Sequence, residues 1–156
     1  MLEIVIVVAL ILLNGIFALS ELSVVSSRPR RLQVLADEGR PGARAALALL
    51  EEPGRFLSTV QIGITLVGIL AGAFSGEALG GRLTAWLQEQ GVSPGVAGPL
   101  GFGLVIVVIT YLSIVIGELV PKRFALRSPE TLACLVAPGM RLLARVGTPV
   151  AWLLDA

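Results

Sequence analysis

Three long stretches of this chain carry no charged residue, and short polar stretches separate them. Ile4 to Ser20 is the first, and with Glu21 to Val25 it would extend about 33 Å as a helix, at about 1.5 Å per residue. A bilayer's hydrocarbon core is about 30 Å thick, so the segment is long enough to cross it. Phe56 to Gly76 is the second uncharged run. Gly91 to Gly117 is the third; it contains the strongly apolar Leu104–Ile109 and starts its helix near Pro99, since a first turn accommodates proline. The pattern predicts spans over about 4–25, 56–76 and 97–120.

The polar stretches predict shorter elements. Pro29 ends the first helix. Between Arg28 and Arg55, Arg40-Pro41-Gly42 separates Arg30–Glu38 from Ala43–Leu50, both rich in Ala and Leu with charged flanks. Each reads as a short interfacial helix. Gly80 to Gly98 reads as a glycine-rich connection with one helical piece around Trp86, an interfacial anchor. Leu132 to Leu154 is apolar but interrupted by Pro138, Gly139, Arg141, Arg145, Gly147 and Pro149. A fourth span would bury two arginines at about 2.5–3.5 kcal/mol each, so this tail is expected as broken helices at the interface, with a re-entrant segment as the alternative. The expected fold is therefore an all-α integral membrane protein. Residues 1–156 form one transmembrane domain of three spans, with juxtamembrane helices over 28–55 and 122–156.

Composition narrows the function classes. Of 156 residues, 55% are hydrophobic and 15% charged, which makes the bilayer the natural solvent. A net charge of +1 gives no reason to expect nucleic-acid binding. With no histidine and one cysteine, Cys134, neither an intrachain disulfide nor a tetrahedral zinc site is available, so any bound metal is a hard cation held by oxygen. Met1-Leu2-Glu3 lacks the basic start of a signal peptide, so the first run is expected to be a retained helix. Arg28, Arg30, Arg31, Arg40, Arg44 and Arg55 lie between the first two spans; only Arg82 lies between the next two. Lys122, Arg123, Arg127, Arg141 and Arg145 follow the third. By the positive-inside rule the first loop and the C-terminus are cytoplasmic and the N-terminus is outside, in a plasma (inner) membrane.

Polar groups within spans need partners and so mark candidate chemistry. In the first span Ser20, Ser23 and Ser27 share a stripe beside Asn14 and Glu21. The serines either serve a site or bond their own helix; Glu21 pairs with Arg28 or Arg30; Asn14 bonds across helices. In the second span Gln61, Thr65, Gly68 and Gly72 align, and Gly68, Gly72 and Gly76 make a small-xxx-small packing pattern. Gly63 can expose backbone, and Thr65 offers a hydroxyl either to a cation or to its own helix.

The sharpest feature is Gly117-Glu118-Leu119-Val120-Pro121-Lys122. Pro121 has no N–H to give to the Gly117 carbonyl, which leaves that oxygen free and opens the helix. With Glu118 beside it and hydroxyls from another helix, this would make an oxygen cage for a hard cation. The alternative is an ordinary helix end with Glu118 paired to Lys122.

This hexapeptide resembles the Gly-Glu-x-x-Pro-Lys signature of the CNNM/CorC magnesium transporter family. Phe56-Leu57-Ser58-Thr59-Val60-Gln61-Ile62-Gly63-Ile64-Thr65-Leu66 is similar to that family's second-helix motif, and Leu13-Asn14-Gly15-Ile16-Phe17 with Ser20-Glu21 to its first. The resemblance implies a dimerising three-helix domain that exports Mg2+ in exchange for Na+. It implies a metal site of Ser20, Ser23, Gly63, Thr65, Gly117 and Glu118. Some branches carry asparagines after the second-helix glycine where this chain has Ile64 and Thr65. Family members continue into cytoplasmic CBS modules; these are absent here, which reads as truncation. The other readings are a non-transporting dimeric membrane anchor or sensor, and a Mg2+ channel. No nucleophile pair or phosphate loop supports an enzyme.

Overall fold

The computed structural model describes the backbone of residues 2–155 and is helical almost throughout. The order is α1 (Leu2–Ser26), α2 (Pro29–Asp37), α3 (Ala43–Glu51), α4 (Pro53–Glu89), α5 (Pro94–Ile114), a π turn (Val115–Leu119), α6 (Val120–Arg127) and α7 (Pro129–Asp155). Proline opens α2, α4, α5 and α7, where its missing N–H would have no intrahelical partner anyway. Three helices are long and apolar enough to cross a membrane: Leu2–Ser26, Pro53–Glu89 and the continuous run Pro94–Arg127. The all-α, three-span architecture is the one the hydrophobic runs predict.

The ends of the elements differ from the expectation in three places. First, α4 does not stop at Gly76 but runs to Glu89, about 55 Å in length and well beyond a hydrocarbon core. Second, α5 starts at Pro94, so no long glycine-rich connection separates it from α4. Of the glycines that suggested one, Gly80 is a seat for the Phe102 side chain, as are Gly76 one turn earlier and, for Thr84, Gly101 on α5; Gly81, Gly95 and Gly98 would meet nothing within 4 Å at a Cβ. Close packing of two antiparallel helices outweighs the local cost of glycine, about 1 kcal/mol per residue. Third, the tail is not a set of broken helices. α7 is one helix with Pro138 and Pro149 inside it. Its first half is held by burial of Ala133, Cys134, Ala137 and Met140 against the other helices.

In lipid both faces of a span are apolar, so small and polar residues mark the packed side. On α1, Val7, Ile11, Gly15 and Ala18 are buried at helical spacing, continuing into Ser20, Ser23 and Val24. Val5, Val8, Leu12 and Ile16 form the exposed side. The amphipathic α2 and α3 bury Leu32, Ala36, Ala43, Ala46 and Leu49. Their joint depends on Gly42, which has φ of 82° and leaves no space for a Cβ against the Cys134 carbonyl of α7.

Two polar contacts fix the ends of the bundle. Glu3 near the start of α1 pairs with Arg82 late in α4, at 2.8 Å. At the opposite end, Glu130 in the first turn of α7 is buried. It accepts the Arg28 backbone N–H at 3.3 Å and lies 3.9 Å from the Arg31 guanidinium. Glu21 has no ion pair with Arg28 or Arg30 among the described residues; Glu130 is the acid that meets this basic stretch.

Candidate cation site

The third span changes character at Val115. Without an N–H at Pro121, the α-helical ladder cannot close on Gly117. The backbone widens instead: the Val120 N–H reaches back five residues to the Val115 carbonyl, making the π turn Val115–Leu119. Such turns are rare and concentrate at functional sites.

The carbonyl released at Gly117 is not free. Asn14 of α1 donates its Nδ2 to it at 3.1 Å. The close crossing needs two glycines. A Cβ on Gly15 would stand 3.1 Å from the Pro121 ring and 3.3 Å from the Ile116 carbonyl. One on Gly117 would stand 3.3 Å from both Asn14 Nδ2 and the Ile11 carbonyl. Asn14 therefore bonds across helices as its depth suggests, and its Oδ1 is left buried with no hydrogen-bond partner among the described residues.

Beside this crossing lies a slot of about 200 Å³. Asn14 enters it from α1, Gly68 and Gly72 from α4, Thr110 and Ser113 from α5, and Glu118 from the π turn. Added Cβ atoms at Gly68 and Gly72 would meet nothing within 4 Å, so these glycines leave space rather than pack helices within one chain. Glu118 pairs with Lys122 one turn on, at 2.7 Å, and both side chains are partly exposed. Among the described residues no three His, Cys, Asp or Glu side chains converge. The slot thus offers one carboxylate and several neutral oxygens, a donor set for a cation with few acidic ligands.

The residues expected to bind metal are placed as follows. Glu118 lines the slot, and Gly117 adjoins it through Asn14. Ser20 and Ser23 are fully buried in α1 and donate to their own helix, Ser20 to Ile16 at 2.6 Å and Ser23 to Ser20 at 3.2 Å. Gly63 lies under the Phe17 ring, and Thr65 is exposed on α4. None of these four lines the slot. Thr110 and Ser113 carry no motif, and only their position one and two turns before Glu118 on the same span could have singled them out.

Three helices able to cross a bilayer, with a partly open groove between them, define a multi-pass membrane protein. Residues 5–156 match the family described as the cyclin M transmembrane N-terminal domain. The chain belongs to this CNNM family. It is 49% identical over 153 residues to a UPF0053 protein of Synechocystis, covering 98% of this chain and 34% of that protein. It is 34% identical over 149 residues to the polyamine export protein of Haemophilus influenzae, covering 96% of this chain and 34% of the relative. For the polyamine export protein of Escherichia coli K12 the identity is 33% over 150 residues, covering 96% and 33%. The chain therefore spans about a third of the length of these relatives.

Proposed function

We propose that this chain is the membrane-spanning unit of a cation exporter whose cargo binds at Glu118. The carrying observation is the position of that carboxylate, in a slot between three helices and 2.7 Å from an alkylammonium group, Lys122 Nζ. A carboxylate at membrane depth is costly unless a cation accompanies it. Lys122 is that cation in the closed arrangement, and the cargo replaces it in the loaded one.

The proposed cargo is Mg2+, exported in exchange for Na+. On loading, Asn14 releases the Gly117 carbonyl, which joins Glu118 as a ligand, and the hydroxyls of Ser20, Ser23 and Thr65 with the Gly63 backbone approach as α1 rocks about Gly15. Pro121 makes this inexpensive, because no intrahelical bond to Gly117 has to break. The same reading assigns the chain to a plasma-membrane homodimer with a cytoplasmic C-terminus leading to CBS modules.

A second cargo class, a polyamine, is favoured by two observations. Relatives are named polyamine export proteins. The Glu118 carboxylate also already receives a primary ammonium in the form polyamines would present.

Flux from proteoliposomes decides between them. Mg2+ efflux that follows an imposed Na+ gradient and is lost in Glu118→Gln supports the first reading. Polyamine flux with the same dependence on Glu118, and no Mg2+ flux, supports the second. Mg2+ flux indifferent to Na+ makes the protein a channel, and flux of neither cation leaves an anchor or sensor.

A further inference from the structure

A second charged cavity lies at the start of α4, away from the slot in the middle of that helix. It is a cleft of about 440 Å³ between the end of α3, the start of α4 and the middle of α7. Its polar walls are Glu51, Glu52, Arg55, Arg141 and Arg145, with Phe56 among its apolar lining. Glu52 and Arg55 are paired at 3.2 Å. Arg141 and Arg145, one helical turn apart on α7, are exposed and have no ion-pair partner among the described residues. With the Glu52–Arg55 pair neutral, the two arginines outweigh Glu51 and leave the cleft with an excess positive charge.

The surface next to the arginines is apolar. Leu142 and Val146, each one residue beyond an arginine, are 65% and 68% exposed, and Leu135 on the same stripe is 75% exposed. These side chains lie away from the face that α7 buries through Ala133, Ala137 and Met140. A helix with one face packed, a second face apolar and unpacked, and arginines between them has the pattern of a helix lying in a bilayer interface. The cleft also opens where α4 begins its span at Pro53.

We propose that this cleft is a binding site for the headgroup of an acidic phospholipid. The phosphodiester sits between Arg141 and Arg145, whose planar forks match phosphate oxygens. The headgroup hydroxyls face Glu51, and the acyl chains lie along Leu142 and Val146. A monoanionic headgroup such as that of phosphatidylglycerol balances the excess charge, whereas a zwitterionic one does not. A free phosphate would use the arginines but leave the apolar stripe uncovered, so the lipid is the better match. The lipid would hold α7 to the start of α4 and to the membrane surface. This site is independent of the cargo that Glu118 takes.

The test is native mass spectrometry of the detergent-purified chain titrated with phosphatidylglycerol or phosphatidylcholine. The unaltered chain is expected to retain phosphatidylglycerol in preference to phosphatidylcholine. Arg141→Gln with Arg145→Gln is expected to weaken phosphatidylglycerol binding about thirtyfold, while Arg30→Gln, on α2 and outside the cleft, leaves it unchanged. Circular dichroism checks the fold of each variant. Should the double glutamine variant unfold, Arg141→Lys with Arg145→Lys keeps the charge but removes the forks and is expected to cost about threefold. Equal retention of the two lipids, or lipid binding indifferent to either substitution pair, overturns the proposal. Displacement of the lipid by millimolar inorganic phosphate overturns it as well and reassigns the cleft to a soluble anion.

Discussion

Glu118 is paired with Lys122, and the Gly117 carbonyl accepts from Asn14. Under the proposed function, Lys122 would compete with an incoming cation for the carboxylate and Asn14 for the carbonyl. Partly exposed ion pairs are worth about 0.2–1 kcal/mol. Lys122→Gln is therefore expected to raise cation affinity by up to about fivefold, measured by isothermal titration with the transported ion; weaker binding would mean that Lys122 helps the site rather than blocks it. Gly68→Leu places a side chain in the empty part of the slot, touching no neighbour at its Cβ. It should abolish flux without altering thermal unfolding, and normal flux would show that cargo takes another path. At this scale the sequence was partly legible. Pro121 announced a carbonyl freed from its helix, but its partner Asn14 lies 103 residues earlier in the chain. The serines of α1 stood out as a polar stripe, yet their bonds run within their own helix.

Helices join through positions where side chains are missing. The π turn persists because Pro121 cannot donate, so Pro121→Ala supplies the N–H that lets Gly117 close an ordinary turn. Flux is expected to fall while unfolding temperature does not, and undiminished flux would remove the π turn from the mechanism. At the α3–α7 contact, Gly42→Ala adds both a left-handed conformational cost and a collision with the Cys134 backbone. Burial pushes the Cys134 thiol above its ordinary range, with Arg40 drawing it back only in part. Cys134 should resist alkylation by iodoacetamide at neutral pH in the folded chain, since only the thiolate reacts. In Gly42→Ala the labelling is expected to become fast as α3 separates from α7; unchanged protection would show that the joint adjusts without opening. The lengths of α4 and α7 were not legible from the sequence. Glycine and proline weaken a helix locally, and only contacts with Phe102, Thr84 and the α1–α3 layer reveal that packing compensates.

Over the whole molecule, Glu3–Arg82 ties the start of α1 to the far end of α4, and Glu130 holds α7 to the start of α2 at the opposite end. Glu130→Ala leaves the Arg28 N–H without its acceptor and is expected to cost about 1–3 kcal/mol, read from thermal unfolding in detergent. No loss of stability would mean that water replaces the carboxylate. The number of spans was determined by the sequence alone, because a membrane-crossing helix needs only a long uncharged run, which is a property of neighbouring residues. The family was equally visible, in short motifs that keep their order along the chain. Which polar groups meet was decided by tertiary structure. In a bilayer the packed and lipid-facing sides are both apolar, so hydrophobic periodicity does not say how each helix is turned. The slot of Asn14, Thr110, Ser113 and Glu118 exists because glycines at 15 and 117 let α1 cross the third span closely, while Gly68 and Gly72 leave the opposite wall open.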